Sequence, residues 1–320
     1  MNETKETKQD ESEFKSRCYG IIVIKSENSN FNADFTGNPR RLPDENGTIY
    51  ATDKALKYAI RKYWVDNSQN VFVWKTFRKD NGKYLPYTLE ERYKNMKEKL
   101  EKETPLEVFA ECIDTKLFGI TFAMQSATEG ESKNISLTGP VQISYGVNKY
   151  VENIIFSNDI LSPYATDSGD KSSTIGNENK AKEIYYVYDF VVNPSNILNH
   201  YEDNPEVQEK MMLRVGDIDS LKDALKNAVT NLNTASKVGS ENMLTLFITM
   251  NEGSKVQIPT LKSLVRITKN SGNPTIDFTS VVKTLNNYGE KSMELYYDNT
   301  LIDVKGCDQI DNKHQSNNKY

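Results

Sequence analysis

The sequence predicts an α+β fold, because strand-like and helix-like segments follow one another along it in a characteristic order. A β-branched apolar run, CYGIIVIK, opens the series, and a segment with helical apolar spacing follows it. This order is the split βαβ arrangement of ferredoxin-like and RRM-like domains, here with long insertions. The predicted segments are strands at residues 18–25, 117–124, 138–145, 184–192 and 243–250, and helices at residues 52–63 and 220–232.

Length and composition indicate one elaborated globular domain. The chain has 320 residues, 37% of them apolar, and a mean hydropathy of -0.66, which indicates large polar surfaces around a proper core. Its apolar runs are far shorter than the roughly 20 residues that cross a bilayer. Residues 1–13 are polar and do not resemble a signal peptide, so we expect a cytoplasmic protein without a membrane partner.

The side chains that usually carry catalysis and metal binding are scarce. Three widely spaced cysteines, Cys18, Cys112 and Cys307, fit neither a disulfide framework nor a CxxC zinc site. Two histidines, His200 and His314, argue against a histidine triad or a multi-histidine metal site. We therefore expect no catalytic residue, no metal and no cofactor.

Charge is distributed unevenly. The net charge of -5 argues against a nucleic-acid partner at first sight, since affinity for phosphate depends on clustered Lys and Arg. Residues 54–102, however, hold 13 Lys and Arg against 6 Asp and Glu. The chain therefore contains a basic segment although its net charge is negative.

The segments after the first strand offer candidate anion-binding groups. Residues 26–47 are dense in Asn, Asp, Gly and Pro, which predicts a long loop carrying Arg40 and Arg41. Thr52 and Asp53 can cap the following helix, and Lys54, Lys57 and Arg61 share one of its faces. That basic stripe is equally typical of a solvated surface helix.

The later segments suggest two excursions from the domain. Residues 70–104 mix aromatic and charged side chains, with an exposed charged helix at 89–100, and read as an insertion. In 138–145, Val141, Ile143 and Tyr145 alternate with Gln142 and Ser144, which leaves one polar strand face available. Residues 157–182 are rich in Ser, Asp, Asn and Gly, and are either disordered or a projecting functional element.

Five sequence pieces in a fixed order, YGIIVIKSENSNFN, NPRRLP, TDKALKYAIR, DTKLFGI and TGPVQISYG, together resemble one known family. It is the backbone subunit of type I CRISPR Cascade complexes, within the RAMP superfamily, and the sequence looks most similar to subtype I-B. The resemblance runs from about Arg17 to Ile267. One departure is the segment TIGNENKAKEIYY, where family relatives often carry His and basic residues after a glycine.

The resemblance implies an RRM-like palm with a helical finger insertion and a protruding thumb loop. Its implied partners are crRNA, further copies of the chain in a filament, other Cascade subunits, and target DNA reached through the guide. The implied divisions are a disordered tail at 1–16, palm at 17–69, finger at 70–110, palm at 111–156, thumb at 157–182, palm at 183–304, and a flexible tail at 305–320.

A sequence-neutral RNA cradle needs cations, amides and close backbone approach, and leaves base edges free for pairing. Arg40 and Arg41 offer guanidinium forks, Lys54, Lys57 and Arg61 add charge near a helix N-terminus, and Asn28 and Asn30 are sugar-binding candidates or simple turn formers. The full set of candidate RNA-binding residues is Asn28, Asn30, Arg40, Arg41, Lys54, Lys57, Arg61, Gln125, Gly139, Pro140, Gln142, Ser144, Lys149 and Lys171.

Two other functions stay open at this point. Backbone subunits of type III complexes resemble this family and use a loop aspartate in metal-dependent cleavage of target RNA; Asp34 is the corresponding candidate, although a lone loop Asp is usually a turn residue. The second is a protein-only scaffold, in which the basic segment pairs with the acidic surface of a neighbouring copy.

Overall fold

In the computed structural model, the described residues are 10–124, 133–165, 173–198, 205–270, 272–289, 291–307 and 310. They confirm a mixed α+β fold with an antiparallel central sheet. Its strands, in chain order, are β1 (Cys18–Ser29), β2 (Tyr50–Ala51), β3 (Phe77–Asp80), β4 (Lys83–Pro86), β5 (Gly119–Met124), β6 (Lys133–Thr138), β7 (Val141–Ile143), β8 (Gly146–Asn148), β9 (Ile155–Ala165), β10 (Ser173–Val192), β11 (Ser240–Met250), β12 (Arg266–Lys269), β13 (Pro274–Asp277), β14 (Lys291–Tyr297) and β15 (Asp303–Lys305).

Helices flank these strands, and a short 3₁₀ turn lies at Lys262–Leu264. The helices are α1 (Asp53–Asp66), α2 (Leu89–Leu100), α3 (Pro105–Ala110), α4 (Ile113–Phe118), α5 (Ser195–Leu198), α6 (Pro205–Met211), α7 (Val215–Asn227) and α8 (Thr279–Leu285).

Strand β1 lies inside the central sheet, whose order is β14-β11-β1-β10-β8-β2, with β7 and β9 also paired to β10. Both β10 and β11 run antiparallel to β1, and helix α7 lies between them in the chain. The apolar run that predicted β1 is buried on both faces: Ile22 and Ile24 join one cluster with α1 and α7, while Ile21 and Val23 join another with residues 256–310. The C-terminal segment therefore covers much of the sheet face that α1 leaves free.

The segment predicted as a strand at 117–124 is a strand from residue 119 onward, so the prediction is confirmed except at its first two residues, which end helix α4. Helix α4 runs to Phe118 and ends at Gly119, whose φ of 75° lies in the left-handed region that glycine tolerates best. β5 then pairs with β6 outside the central sheet. The second predicted strand, 138–145, is also divided: Thr138 ends β6, and β7 pairs with β10.

The insertion has a hydrophobic core of its own. Phe72, Phe109 and Phe122 pack edge to face, with ring centroids 5.1 to 6.2 Å apart. Residues after β10, such as Ile197 and Met211, complete this cluster. The independent core begins in the predicted insertion and extends well beyond its expected end at residue 110.

Residues 157–182, for which the sequence left two interpretations open, form a long ribbon in their described parts. β9 and β10 pair along their length, from Ile155 opposite Ala181 to Ala165 opposite Ser173. Because Ala181 is also the last partner of β1, opposite Ser29, the part of β10 before it pairs with β9 alone. At about 3.3 Å per residue, this free part extends roughly 25 Å from the sheet.

Residues from both predicted tails contact the rest of the protein. Residues 10–16 lie along the start of α7, where Phe14 N donates to Leu213 O at 2.8 Å and Val215 N donates to Ser12 O at 2.9 Å. At the other end, β15 reaches Lys305 and Ile310 is buried in the C-terminal cluster. Within the described parts of the chain, no helix combines the length and the apolar character that crossing a membrane requires.

Candidate nucleic-acid interface

The long loop after β1 is fixed to the start of α1 by one side chain. Asn32 Oδ1 accepts hydrogen bonds from Thr52 N at 2.8 Å and Thr52 Oγ1 at 3.0 Å. Arg40 N donates to Asn32 O, and Tyr50 N donates to Arg40 O at 2.9 Å. Arg40 is therefore held beside β2 and the N-terminus of α1.

Arg40 and Arg41 use only part of their hydrogen-bonding capacity within the chain. Arg40 Nε donates to Ala33 O at 3.1 Å, and Arg41 donates through Nη1 to Gly47 O at 2.6 Å and through Nη2 to Asn153 O at 3.1 Å. Among the described residues, neither guanidinium is ion-paired with a carboxylate within 4.0 Å. A guanidinium has five N–H donors, so each side chain keeps donors for an external anion.

A polar and aromatic surface lies on the sheet face opposite α1, at the β2 and β8 edge. Ile49 and Ala51 enter the core beside α1, so Tyr50 points to the other face, where Tyr50 stands opposite Val147 and its ring centroid is 5.4 Å from that of Tyr145. Arg40 and Arg41 lie beside this edge, in the segment whose backbone pairs with Ile49 and Tyr50. We call the residues of this edge and of the neighbouring loop the β2–β8 surface: Arg40, Arg41, Tyr50, Gln142, Ser144, Tyr145, Lys149 and Lys262.

Lys262 joins this surface from far away in the sequence. Its Nζ donates to Ser144 Oγ at 2.8 Å and to Tyr145 O at 2.7 Å. Burial lowers the pKa of Lys262, the nearby Asp189 carboxylate opposes that effect, and the charge of Lys149 adds to the lowering. The sequence analysis missed Lys262, because 118 residues separate it from Ser144 and no local pattern marks it.

The two predicted asparagines have different surroundings. Asn30 is 4% exposed, and its Nδ2 donates to Gly37 O at 3.0 Å and Asn179 O at 2.9 Å. Asn28 is exposed with a φ of 47°, a backbone conformation that asparagine adopts more readily than most residues. Asn30 thus anchors the loop and the ribbon, while Asn28 lies within β1, between residues 27 and 29 that both pair with β10.

The three predicted cations of α1 are not equivalent. The Lys54 side chain is 85% exposed, whereas that of Lys57 is 13% exposed, with Nζ 3.4 Å from Asp53 Oδ2 and 5.1 Å from the Phe118 ring centroid. Burial is the main cause that lowers the pKa of Lys57. Arg61 Nε donates at 2.8 Å to Asp114, whose side chain is fully buried. Lys54 is the most exposed of the three, and its Nζ lies 4.0 Å from Asp53 Oδ1.

Gly139 and Pro140 are buried, and the backbone at Gly139 lies against the backbone of residues 117–119 of the same chain. A Cβ on Gly139 would lie 2.2 Å from Gly119 N, so this position requires glycine. Gln142 is exposed and its Nε2 donates to Gly139 O at 2.8 Å. Gln125 and Lys171, the remaining predicted residues, lie outside the described part of the chain.

The candidate metal-binding aspartate is engaged in its own turn. Asp34 Oδ1 accepts from Thr36 N at 2.8 Å, Thr36 Oγ1 at 2.7 Å and Asn38 N at 3.0 Å. The hydrogen bond from the Thr36 hydroxyl is the main cause that lowers the pKa of Asp34. Across the described ranges, no three His, Cys, Asp or Glu side chains come together as metal ligands.

Comparison with known proteins places this geometry in context. The sequence profile of the family described as CRISPR-associated protein Cas7 matches residues 16–291. Two solved structures, described as a CRISPR RNA-guided surveillance complex and as such a complex before nicking, each share 12% identity with the chain and cover 90% of it. The chain covers 94% and 95% of their matched chains, with TM-scores of 0.46 and 0.44. No curated protein matches the chain by sequence.

Proposed function

This chain belongs to the family of CRISPR-associated Cas7 proteins, and we propose that it is a non-catalytic backbone subunit of a type I Cascade complex that binds crRNA. The family assignment supports a place in a multisubunit CRISPR complex. The subtype I-B likeness, carried by the five motifs, is the finer part of the proposal.

The β2–β8 surface is the observation that carries RNA binding. Arg40, Arg41, Lys149 and Lys262 contribute positive charge there, and in the described chain none of them is ion-paired with a carboxylate. These groups can bind phosphates, and the exposed Gln142 amide can bind a sugar hydroxyl. Such contacts fix a strand in position and leave its base edges free, as a guide requires.

The remaining architecture supports the palm, finger and thumb interpretation. The order β11-β1-β10-β8, with antiparallel neighbours and helices α1 and α7 on one face, supports an RRM-like palm. The cluster around Phe72 and Phe109 suits a finger, and the ribbon of β9 and β10 suits a thumb. In this proposal, copies of the chain polymerise along one crRNA with other Cascade subunits, and the guide pairs with target DNA.

The absence of catalysis is also part of the proposal. Asp34 is the aspartate that would be needed for cleavage of target RNA, and its carboxylate oxygen is occupied by three donors of its own loop. Phosphoryl transfer with two metal ions normally requires several carboxylates close together.

The direct test is equilibrium binding of single-stranded RNA at several salt concentrations. We expect Arg40→Gln/Arg41→Gln/Lys149→Gln to weaken binding of all RNA sequences alike, and to reduce the slope of log K against log salt by about 2, since each lost phosphate contact contributes about 0.7. The matched control is Lys283→Gln, an exposed lysine of α8. An unchanged slope in the triple variant would exclude the β2–β8 surface as the RNA site.

A further inference from the structure

The β3–β4 hairpin exposes aromatic and basic side chains on one face. Residues 73–80 alternate between exposed and partly buried, so Val73, Lys75, Phe77 and Lys79 all face solvent. Phe77 is 55% exposed and Tyr84, opposite Lys79 in the hairpin, is 72% exposed. Residues directly opposite in an antiparallel pair share a face, so Phe77, Lys79 and Tyr84 lie together.

The other face of the hairpin holds it in place. Arg78 points away from the exposed row and forms ion pairs with Asp80 at 3.0 Å and with Glu91 of α2 at 2.9 Å. Tyr87 N donates to Thr76 O at 3.0 Å, which continues the pairing beyond the strands toward Lys75. These contacts orient the hairpin toward α2. We call its exposed row the hairpin face: Lys75, Phe77, Lys79 and Tyr84.

Three of the thirteen cations of residues 54–102 lie at this hairpin without a carboxylate partner among the described residues. Other cations of that segment are already occupied, by carboxylates or by neutral oxygen acceptors such as the Val71 and Phe72 carbonyls that bind Arg92. Within the described residues, Lys75, Lys79 and Lys83 contact no carboxylate and donate no hydrogen bond, and Lys75 Nζ lies 5.1 Å from the Phe77 ring centroid. The ion-paired cations of the segment are Lys54, Lys57, Arg61, Lys62, Arg78, Lys94, Lys97 and Lys102.

We infer that the hairpin face is a second nucleic-acid contact, which binds single-stranded nucleic acid by stacking unpaired bases on Phe77 and Tyr84. Exposed aromatic rings beside unneutralised lysines are the combination that binds single strands without regard to sequence, because every base has a stackable face and every nucleotide a phosphate. Lys75 and Lys79 supply the phosphate contacts. This inference rests on the proposed function as a nucleic-acid-binding subunit, and assigns it residues remote in sequence from the β2–β8 surface.

The test is fluorescence anisotropy of the full chain with labelled U and dT oligonucleotides of about 12 nucleotides. We expect Phe77→Ala/Tyr84→Ala to weaken binding by about 5- to 150-fold for each stacked base lost, with an unchanged salt slope. Lys75→Gln/Lys79→Gln should instead reduce the slope by about 1.4. Phe77→Tyr/Tyr84→Phe should restore wild-type affinity, and the exposed Leu301→Ala and Lys283→Gln are the controls.

The outcomes separate this inference from the proposed function. If the hairpin variants weaken binding of both the dT and the U oligonucleotide, the ligand is the nucleobase. If they weaken binding of the U oligonucleotide alone, the ligand is RNA. Both results support the inference. If Arg40→Gln/Arg41→Gln/Lys149→Gln weakens binding while the hairpin variants stay within about 2-fold of wild type, the inference fails and the proposed function stands. Loss of self-assembly without any change in affinity would make the hairpin face a protein contact and would also overturn the inference. A wild-type chain that binds neither oligonucleotide contradicts both.

Discussion

Replacing Asp114 with alanine tests whether Arg61 belongs to the interior of the protein or to its RNA-binding surface. The Asp114 carboxylate is fully buried and accepts from Arg61 Nε at 2.8 Å, Phe72 N at 2.7 Å and Val73 N at 3.0 Å. It therefore joins α1, α4 and the start of the insertion. Asp114→Ala leaves a guanidinium with 15% side-chain exposure and two backbone amides without their acceptor.

The expected cost follows from those three lost hydrogen bonds. Breaking a buried ion pair by removing one partner destabilises proteins by about 3 to 5 kcal/mol. With a urea m-value of about 3 kcal/mol per M, the unfolding midpoint falls by roughly 1 to 1.7 M. Tryptophan emission reports the transition, because Trp64 is 1% exposed and its ring centroid lies 5.4 Å from that of Phe118, the ring that Arg61 covers.

Lys62→Gln is the matched control, since Lys62 is the neighbour of Arg61 on α1 and pairs with Asp66 at the surface. An exposed pair of this spacing contributes only about 0.3 to 0.5 kcal/mol. Arg61→Gln should likewise lower the midpoint and leave the salt slope of RNA binding unchanged. The reasoning is refuted if Asp114→Ala shifts the midpoint no further than Lys62→Gln, or if Arg61→Gln flattens the salt slope.

Two further predictions concern Glu107 in the insertion and Gly139 between β6 and β7. The hydrogen bond from Lys210, followed by those from Thr104, lowers the pKa of Glu107 from 4.5 to about 2, so the stabilising effect of the ionised carboxylate is complete above pH 4.5 and is lost as the pH falls toward 2. The free energies of urea unfolding of wild type and Glu107→Gln should therefore differ at pH 7 and converge near pH 2. A difference that stays constant with pH would contradict this role. Gly139→Ala should destabilise the protein by about 1 to 3 kcal/mol, because the added Cβ would lie 2.2 Å from Gly119 N. The control Gly176→Ala, whose Cβ would have no atom within 4 Å, should leave the thermal midpoint nearly unchanged. Equal thermal midpoints for the two variants would contradict the clash.

Strong apolar periodicity made the core elements predictable from sequence. The run at 18–25 and the helix capped by Thr52 are both present, and α7 buries Leu221, Ala224 and Leu225 as its spacing indicated. Such patterns persist in the structure because one buried face decides where a strand or helix must lie. Boundaries were less certain: β10 is 20 residues long, and its first part, which pairs with β9 alone, has no apolar alternation to reveal it.

The candidate site was less predictable, because it depends on contacts between distant parts of the chain. A basic residue on a helix looks the same in sequence whether it faces solvent, as Lys54 does, or a buried carboxylate, as Arg61 does. Nothing near Gly139 shows that Gly119 packs against it. Lys262 reaches Ser144 only because the C-terminal segment folds back over the sheet.

The most direct test of the central claim is the nucleic-acid content of assemblies formed by the purified chain. We predict that large assemblies contain RNA, that RNase converts them to small species on size-exclusion chromatography, and that DNase leaves them intact. Assemblies that survive RNase would favour the protein-only scaffold. A nucleic-acid-free monomer that also fails to bind single-stranded RNA at low salt would contradict the assignment as a crRNA-binding backbone subunit.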